Sequence, residues 1–121
     1  MAYKIAVASS DGKMINQHFG RSRQFLIFEI EENQGYRFLE LRQNSPACHS
    51  GEHGQGSMQD TVDLLADCKI VLVSRIGRGA IEALSGRGIR AYIAPDFIEE
   101  ALKALVGNEE DFPSRYERSP H

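Results

Sequence analysis

From Tyr3 to Ser9 (YKIAVAS) the chain alternates in the period-2 pattern of a strand entering a core. Two further alternating runs, Gln24 to Glu31 (QFLIFEIE) and Tyr36 to Arg42 (YRFLELR), flank the polar segment Glu32-Asn33-Gln34-Gly35 and predict an antiparallel hairpin. Lys69 to Ser74 (KIVLVS) is instead a nearly unbroken β-branched run, the mark of a central strand covered on both faces. Ile89 to Ala94 (IRAYIA) reads as the last strand. Helical spacing appears three times. Met58, Val62, Leu65 and Ala66 form a stripe up to Cys68, and Ala80, Ile81 and Leu84 form one between Gly77 and Ser85, with Gly86 and Gly88 as stops. Phe97, Ala101, Leu102 and Leu105 share a stripe from Phe97 to Val106, after Pro95 and Asp96 where a helix start is expected.

The order β-β-β-α-β-α-β-α predicts an α/β fold: a mixed sheet of about five strands with an N-terminal antiparallel meander, then right-handed βαβ crossovers. Asn44 to Ser57 (NSPACHSGEHGQGS) has one proline, three glycines and no aliphatic residue larger than alanine. It has little to bury and predicts a long, mobile loop. Residues 1–107 then form one domain, and the charged stretch 108–121, with Pro113 and Pro120, is expected to be a flexible tail.

Composition narrows the class of function. At 41% hydrophobic and 26% charged residues the chain matches a soluble globular protein rather than a disordered one. Fourteen basic against seventeen acidic residues give a net charge of −3, which argues against nucleic acid as a partner. No apolar run approaches the roughly 20 residues of a membrane span, and the N-terminus lacks the apolar core of a signal peptide. The expected location is the cytoplasm, with no membrane association, where free thiols are the default for Cys48 and Cys68. Cys68, between a helix and a buried strand, reads as a core thiol.

Three segments carry candidate chemistry. The 44–57 loop holds Cys48, His49 and His53, soft ligands among glycines that can fold around a metal. The His49–His53 spacing would suit a zincin helix, but Pro46, Gly51, Gly54 and Gly56 argue against helix here. One thiolate and two imidazoles fall one ligand short of tetrahedral zinc, and a single-chain iron-sulfur cluster usually takes four cysteines. Such a set suits an open site that receives a prebuilt cluster and releases it; a hydrophilic loop with no metal role is the alternative. In NQHFGRS, His18 with Arg21 and Arg23 can hold an anion at the end of the first strand, or His18 is a solvated loop residue. Ser74-Arg75-Ile76-Gly77-Arg78-Gly79 joins a buried strand to a helix, so Arg75, Arg78 and helix N–H groups make an anion site as plausible as a plain turn. It is neither a Walker loop nor a dinucleotide fingerprint.

The opening IAVASSDGKMINQHFGRSRQFLIFEI, the later LADCKIVLVSRIGRGAIEALSGRGIRAYIA and the Cys/His/Gly loop between them resemble the dinitrogenase iron-molybdenum cofactor biosynthesis family. The resemblance runs from about Tyr3 to about Val106, and its most specific piece is DGKMINQHFGRS followed by an aromatic-rich strand. It implies an RNase H-like three-layer fold and a non-catalytic role in binding or delivering an iron-sulfur or iron-molybdenum-type cluster as transient cargo, with cofactor-assembly proteins as partners. By resemblance, His18, Cys48, His49 and His53 are the candidate ligands, and Arg75 and Arg78 neighbour the cargo; Arg21 of the His18 turn is counted with them as a cofactor-binding residue.

Two other classes stay open. One is a zinc hydrolase using His49, His53 and Cys48 or His18, with Glu52, the loop's sole carboxylate, as general base. The other is a metal-free interaction module. A two-metal nuclease is excluded, because YKIAVAS and KIVLVS hold no carboxylate to bind the metals.

Overall fold

The computed structural model describes residues 2–31, 34–44, 54–107 and 117–118. Strands β1 (Ala2–Ala8), β2 (Gln24–Glu31) and β3 (Gly35–Gln43) form the expected meander, with β1 antiparallel to β2 and β2 to β3. Helix α1 (Gly54–Leu64) leads to β4 (Ile70–Val73), α2 (Arg78–Ser85) to β5 (Arg90–Ile93), and α3 (Ile98–Gly107) follows. β4 lies parallel to β1 and β5 parallel to β4, giving the sheet order β3-β2-β1-β4-β5.

Alternation along the strands sorts the core into two layers of side chains. Ile5, Val7, Ile70 and Leu72 point to one face, where they pack with Ile98, Ala101, Leu102 and Leu105 of α3. Ala6, Ala8, Val71 and Val73 point to the other, against Val62 of α1 and Ala80 and Leu84 of α2. One helix on one face and two on the other make a three-layer α/β fold around a mixed sheet, as the hydrophobic pattern predicts. Gly88 ends the α2 connection in left-handed backbone, φ +76°, a conformation glycine adopts without a Cβ clash.

Four sequence expectations change. α1 starts at Gly54 rather than after Ser57, so the expected loop is shorter at its C-terminal end. Each glycine in a helix costs only about 1 kcal/mol, which packing of the Val62 stripe offsets. The helix also ends at Leu64: Ala66 N–H turns back to the Asp63 carbonyl and Cys68 N–H to that of Leu65, leaving Ala66 exposed rather than in the stripe. Phe97, expected on the inner stripe of α3, sits before the helix and is 56% exposed; Ile98 takes the core position. Finally, where about five strands were expected, Glu117–Arg118 form β6, antiparallel to β5, so the sheet has six strands among the described residues; the rest of the expected flexible tail, 108–116 and 119–121, lies outside them. A short charged strand satisfies the open N–H and C=O groups of the β5 edge, a need no side-chain pattern encodes.

An ion-pair network ties β3 to the end of α1. Arg42 donates through Nη1 to the Leu64 carbonyl at 2.8 Å and Asp67 Oδ1 at 2.7 Å, and through Nη2 to Glu40 and Asp67, each at 2.8 Å. This guanidinium, with Lys4 behind it, holds the Asp67 carboxyl well below the usual range.

Candidate functional site

The site is built where β1 and β4, adjacent and parallel, both end. Open α/β sheets bind ligands at the carboxyl ends of their strands. After β1 the chain is held by an Asx-type turn: Asp11 Oδ1 accepts from Lys13 N at 2.9 Å, Met14 N at 3.1 Å and Ser9 Oγ at 3.2 Å. These donors, Lys13 N–H first, hold the Asp11 carboxyl below its usual range. The segment then crosses to α3, with Ile15 N donating to the Asp96 carbonyl at 2.9 Å and Ile98 N to that of Lys13 at 2.8 Å.

It reaches β4 at its far end. Ser74 N donates to the Gln17 carbonyl at 3.0 Å and Phe19 N to that of Arg75 at 2.9 Å, so His18 and Arg75 pair as an isolated parallel bridge. Paired residues of a parallel bridge stand about 4.8 Å apart and project to the same side. His18 has extended backbone and precedes a single 3-10 turn, Phe19–Arg21. Phe19 is 1% exposed and packs against Phe25 with ring centroids 5.9 Å apart, anchoring the turn while His18 and Arg21 remain exposed.

The sequence candidates His18, Arg21, Arg75 and Arg78 thus share one end of the sheet. Arg75 and Arg78 are exposed, and α2 begins at Arg78 with Gly77 before it, so no side chain caps the first helical N–H groups. Helix N-termini and nearby guanidiniums favour an anion.

Cys48, His49 and His53 lie outside the described residues. Both flanks of their segment are placed. On one side Asn44 N donates to the Arg23 carbonyl at 2.9 Å, Asn44 Nδ2 to the Ser22 carbonyl at 2.8 Å, and Asn44 Oδ1 accepts from Thr61 Oγ1 at 3.1 Å. On the other side α1 runs past α2 so closely that a Cβ on Gly79 would meet Met58 Cε at 3.8 Å. One flank is therefore fixed beside the His18 turn and the other beside the start of α2. Among the described residues no three His, Cys, Asp or Glu side chains are grouped to hold a metal ion.

Sequence reasoning missed a cavity of about 170 Å³ beside this end, lined by Ser9, Ser10, Gln17, Arg23 and Gln24. Only folding assembles it, since Gln24 Nε2 reaches back to the Ser9 carbonyl at 3.0 Å. The expected core role of Cys68 agrees with its burial, 4% exposed. Burial, and then the Asp67 carboxylate, push its thiol up to about 12. Because the folded pKa exceeds the ordinary value of 9.0, the stability linked to this thiol is complete below pH 9 and is lost as pH rises toward 12. In a Cys48→Ala background, Cys68 is expected to resist a disulfide reagent at pH 8 until denaturant is added; rapid labelling of the native protein would contradict its burial.

The chain belongs to the dinitrogenase iron-molybdenum cofactor family, whose model matches residues 1–108. It is 35% identical over 108 residues to the FeMo cofactor biosynthesis protein NifB of Sinorhizobium fredii, covering 88% of this chain and 22% of the relative. For NifB of Azotobacter vinelandii the figures are 33% over 106 residues, 84% and 21%. The chain spans about one-fifth of the length of these curated relatives. Among solved structures, PH0822 is similar at 29% identity and a TM-score of 0.61, over 85% of this chain and 88% of that one. The apo form of the orange protein from Desulfovibrio gigas matches with a TM-score of 0.67 over 97% and 92%, at 16% identity, a likeness of fold alone. No helix among the described residues is long and apolar enough to cross a membrane.

Proposed function

We propose that this protein is a non-catalytic cytoplasmic carrier that takes up an iron-sulfur cluster or iron-molybdenum-type precursor from cofactor-assembly proteins and passes it on. The reading rests chiefly on the His18–Arg75 bridge, which joins two cationic turns at one end of the sheet, between the flanks of the Cys/His segment. In this reading Cys48, with His49 or His53, ligates metal, His18 adds a ligand, and Arg21, Arg75 and Arg78 neutralise the anionic cargo. The strand order, with β2 antiparallel to both neighbours, supports an RNase H-like description of the scaffold. Family membership supports a cofactor-linked role.

The test is anaerobic purification followed by elemental analysis for Fe, Mo, Zn, Cu and sulfide, with absorption spectra, on wild type and Cys48→Ala. Iron with sulfide, present or taken up on addition and lost in the variant, is the expected result. Zinc alone would favour a hydrolase or structural site. Refusal of added cluster would leave an interaction module, and full cluster occupancy in Cys48→Ala would remove Cys48 from the ligand set.

A further inference from the structure

Exposed apolar surface gathers on the face that carries α3. A groove of about 440 Å³ opens between the start of α3 and the β2–β3 hairpin, its walls formed by Phe28, Tyr36, Phe97 and Leu102, with Lys13 and Glu99 as its charged groups. Sites for small organic ligands have this volume and this ratio of apolar walls to few polar groups. Phe97, 56% exposed, stands in the groove wall, and Phe38, 53% exposed, packs edge-on to Phe28 with centroids 5.6 Å apart. Tyr36 also meets Phe28 edge-on, with centroids 6.3 Å apart. Leu41, the third exposed large hydrophobic among the described residues, pairs with Leu26 on the same face. Exposed aromatic area of this kind marks a binding surface rather than scattered apolar residues.

Charge selects the occupant. The Glu99 carboxylate is already met by Lys103 one turn along α3, at 3.4 Å. Lys13 is pinned through its backbone, by Asp11 Oδ1 at 2.9 Å and Ile98 N at 2.8 Å, and its exposed ammonium meets no carboxylate among the described residues. An exposed cation that lines the groove with three aromatic rings fits a flat apolar body with one anionic head.

We propose that this groove binds a small aromatic anion, a carboxylate or sulfonate, with its ring among Phe28, Tyr36 and Phe97 and its head at Lys13. The groove's lining includes neither His18 nor Arg75, and the proposal does not depend on the carrier reading. Two probes with one naphthylamine body test it on the full chain: anionic 8-anilinonaphthalene-1-sulfonate and neutral N-phenyl-1-naphthylamine. Each is expected to saturate at one per chain, the anion more tightly. Phe97→Ser, a surface change that leaves the fold intact, weakens both probes. Lys13→Glu weakens the anion by about tenfold while leaving the neutral probe within twofold, since an exposed charge contact carries at most roughly 1 kcal/mol and reversal adds repulsion. If Lys13→Glu leaves the sulfonate affinity unchanged, the anion specificity is wrong. Absent binding, or binding unaffected by Phe97→Ser, would remove the site altogether.

Discussion

Reversing two charges, Arg21→Glu with Arg75→Glu, is expected to weaken uptake of an anionic iron-sulfur cluster by about a hundredfold. Each lost contact at an exposed cation is worth at most roughly 1 kcal/mol, and repulsion by the new carboxylate brings each site to about tenfold in affinity. The fold should be unaffected, because both side chains are exposed and the bridge to His18 is made by the Arg75 backbone. Anaerobic titration of the apo-protein with a synthetic thiolate-ligated [4Fe–4S] dianion, followed by absorption, measures the change. Wild-type affinity should fall as salt is raised, since these cations are screened in water. Unchanged affinity in the double variant would place the cargo elsewhere.

Leu72→Ala is expected to give the largest loss of stability. Leu72 is fully buried in β4, between Val7 of β1 and Tyr92 of β5, in the core layer beneath α3. Truncating a leucine there removes its transfer free energy and leaves a cavity that a sheet paired on both sides cannot close, costing about 3–5 kcal/mol. For a domain of this size that lowers the thermal midpoint by about 10–20 °C. Thermal denaturation followed by circular dichroism checks it, and a shift of only a degree or two would mean that β4 is not the packed centre of the molecule.

Strands were the most legible part of the chain, for a physical reason. In β2 and β4 every residue's neighbours along the sequence also define its face, so QFLIFEIE and KIVLVS read directly as strands. Helix ends were less legible because their limits depend on tertiary contacts: α1 extends back through Gly54 and Gly56, and Phe97 is displaced from its stripe by one residue. At the candidate site, the cationic turns could be recognised separately as HFGRS and SRIGRG. That His18 and Arg75 become neighbours could not, because their bridge joins residues 57 positions apart through backbone groups that every residue possesses. The polar cavity at Ser9 and Gln24 was hidden for the same reason, and the aromatic groove needed the unforeseen exposure of Phe97.

The hydrogen bonds of Asn44 to Ser22, Arg23 and Thr61, and the close passage of α1 by α2, are made entirely by residues flanking the 45–53 segment. Among the described residues, the buried layers on either side of the sheet draw most of their side chains from the strands and helices. On the proposed carrier role, ligand choice would fall to that segment while stability rests on the described core, so the two could change independently. Such an arrangement would let one scaffold, holding the segment between two placed ends, be matched to different inorganic cargoes.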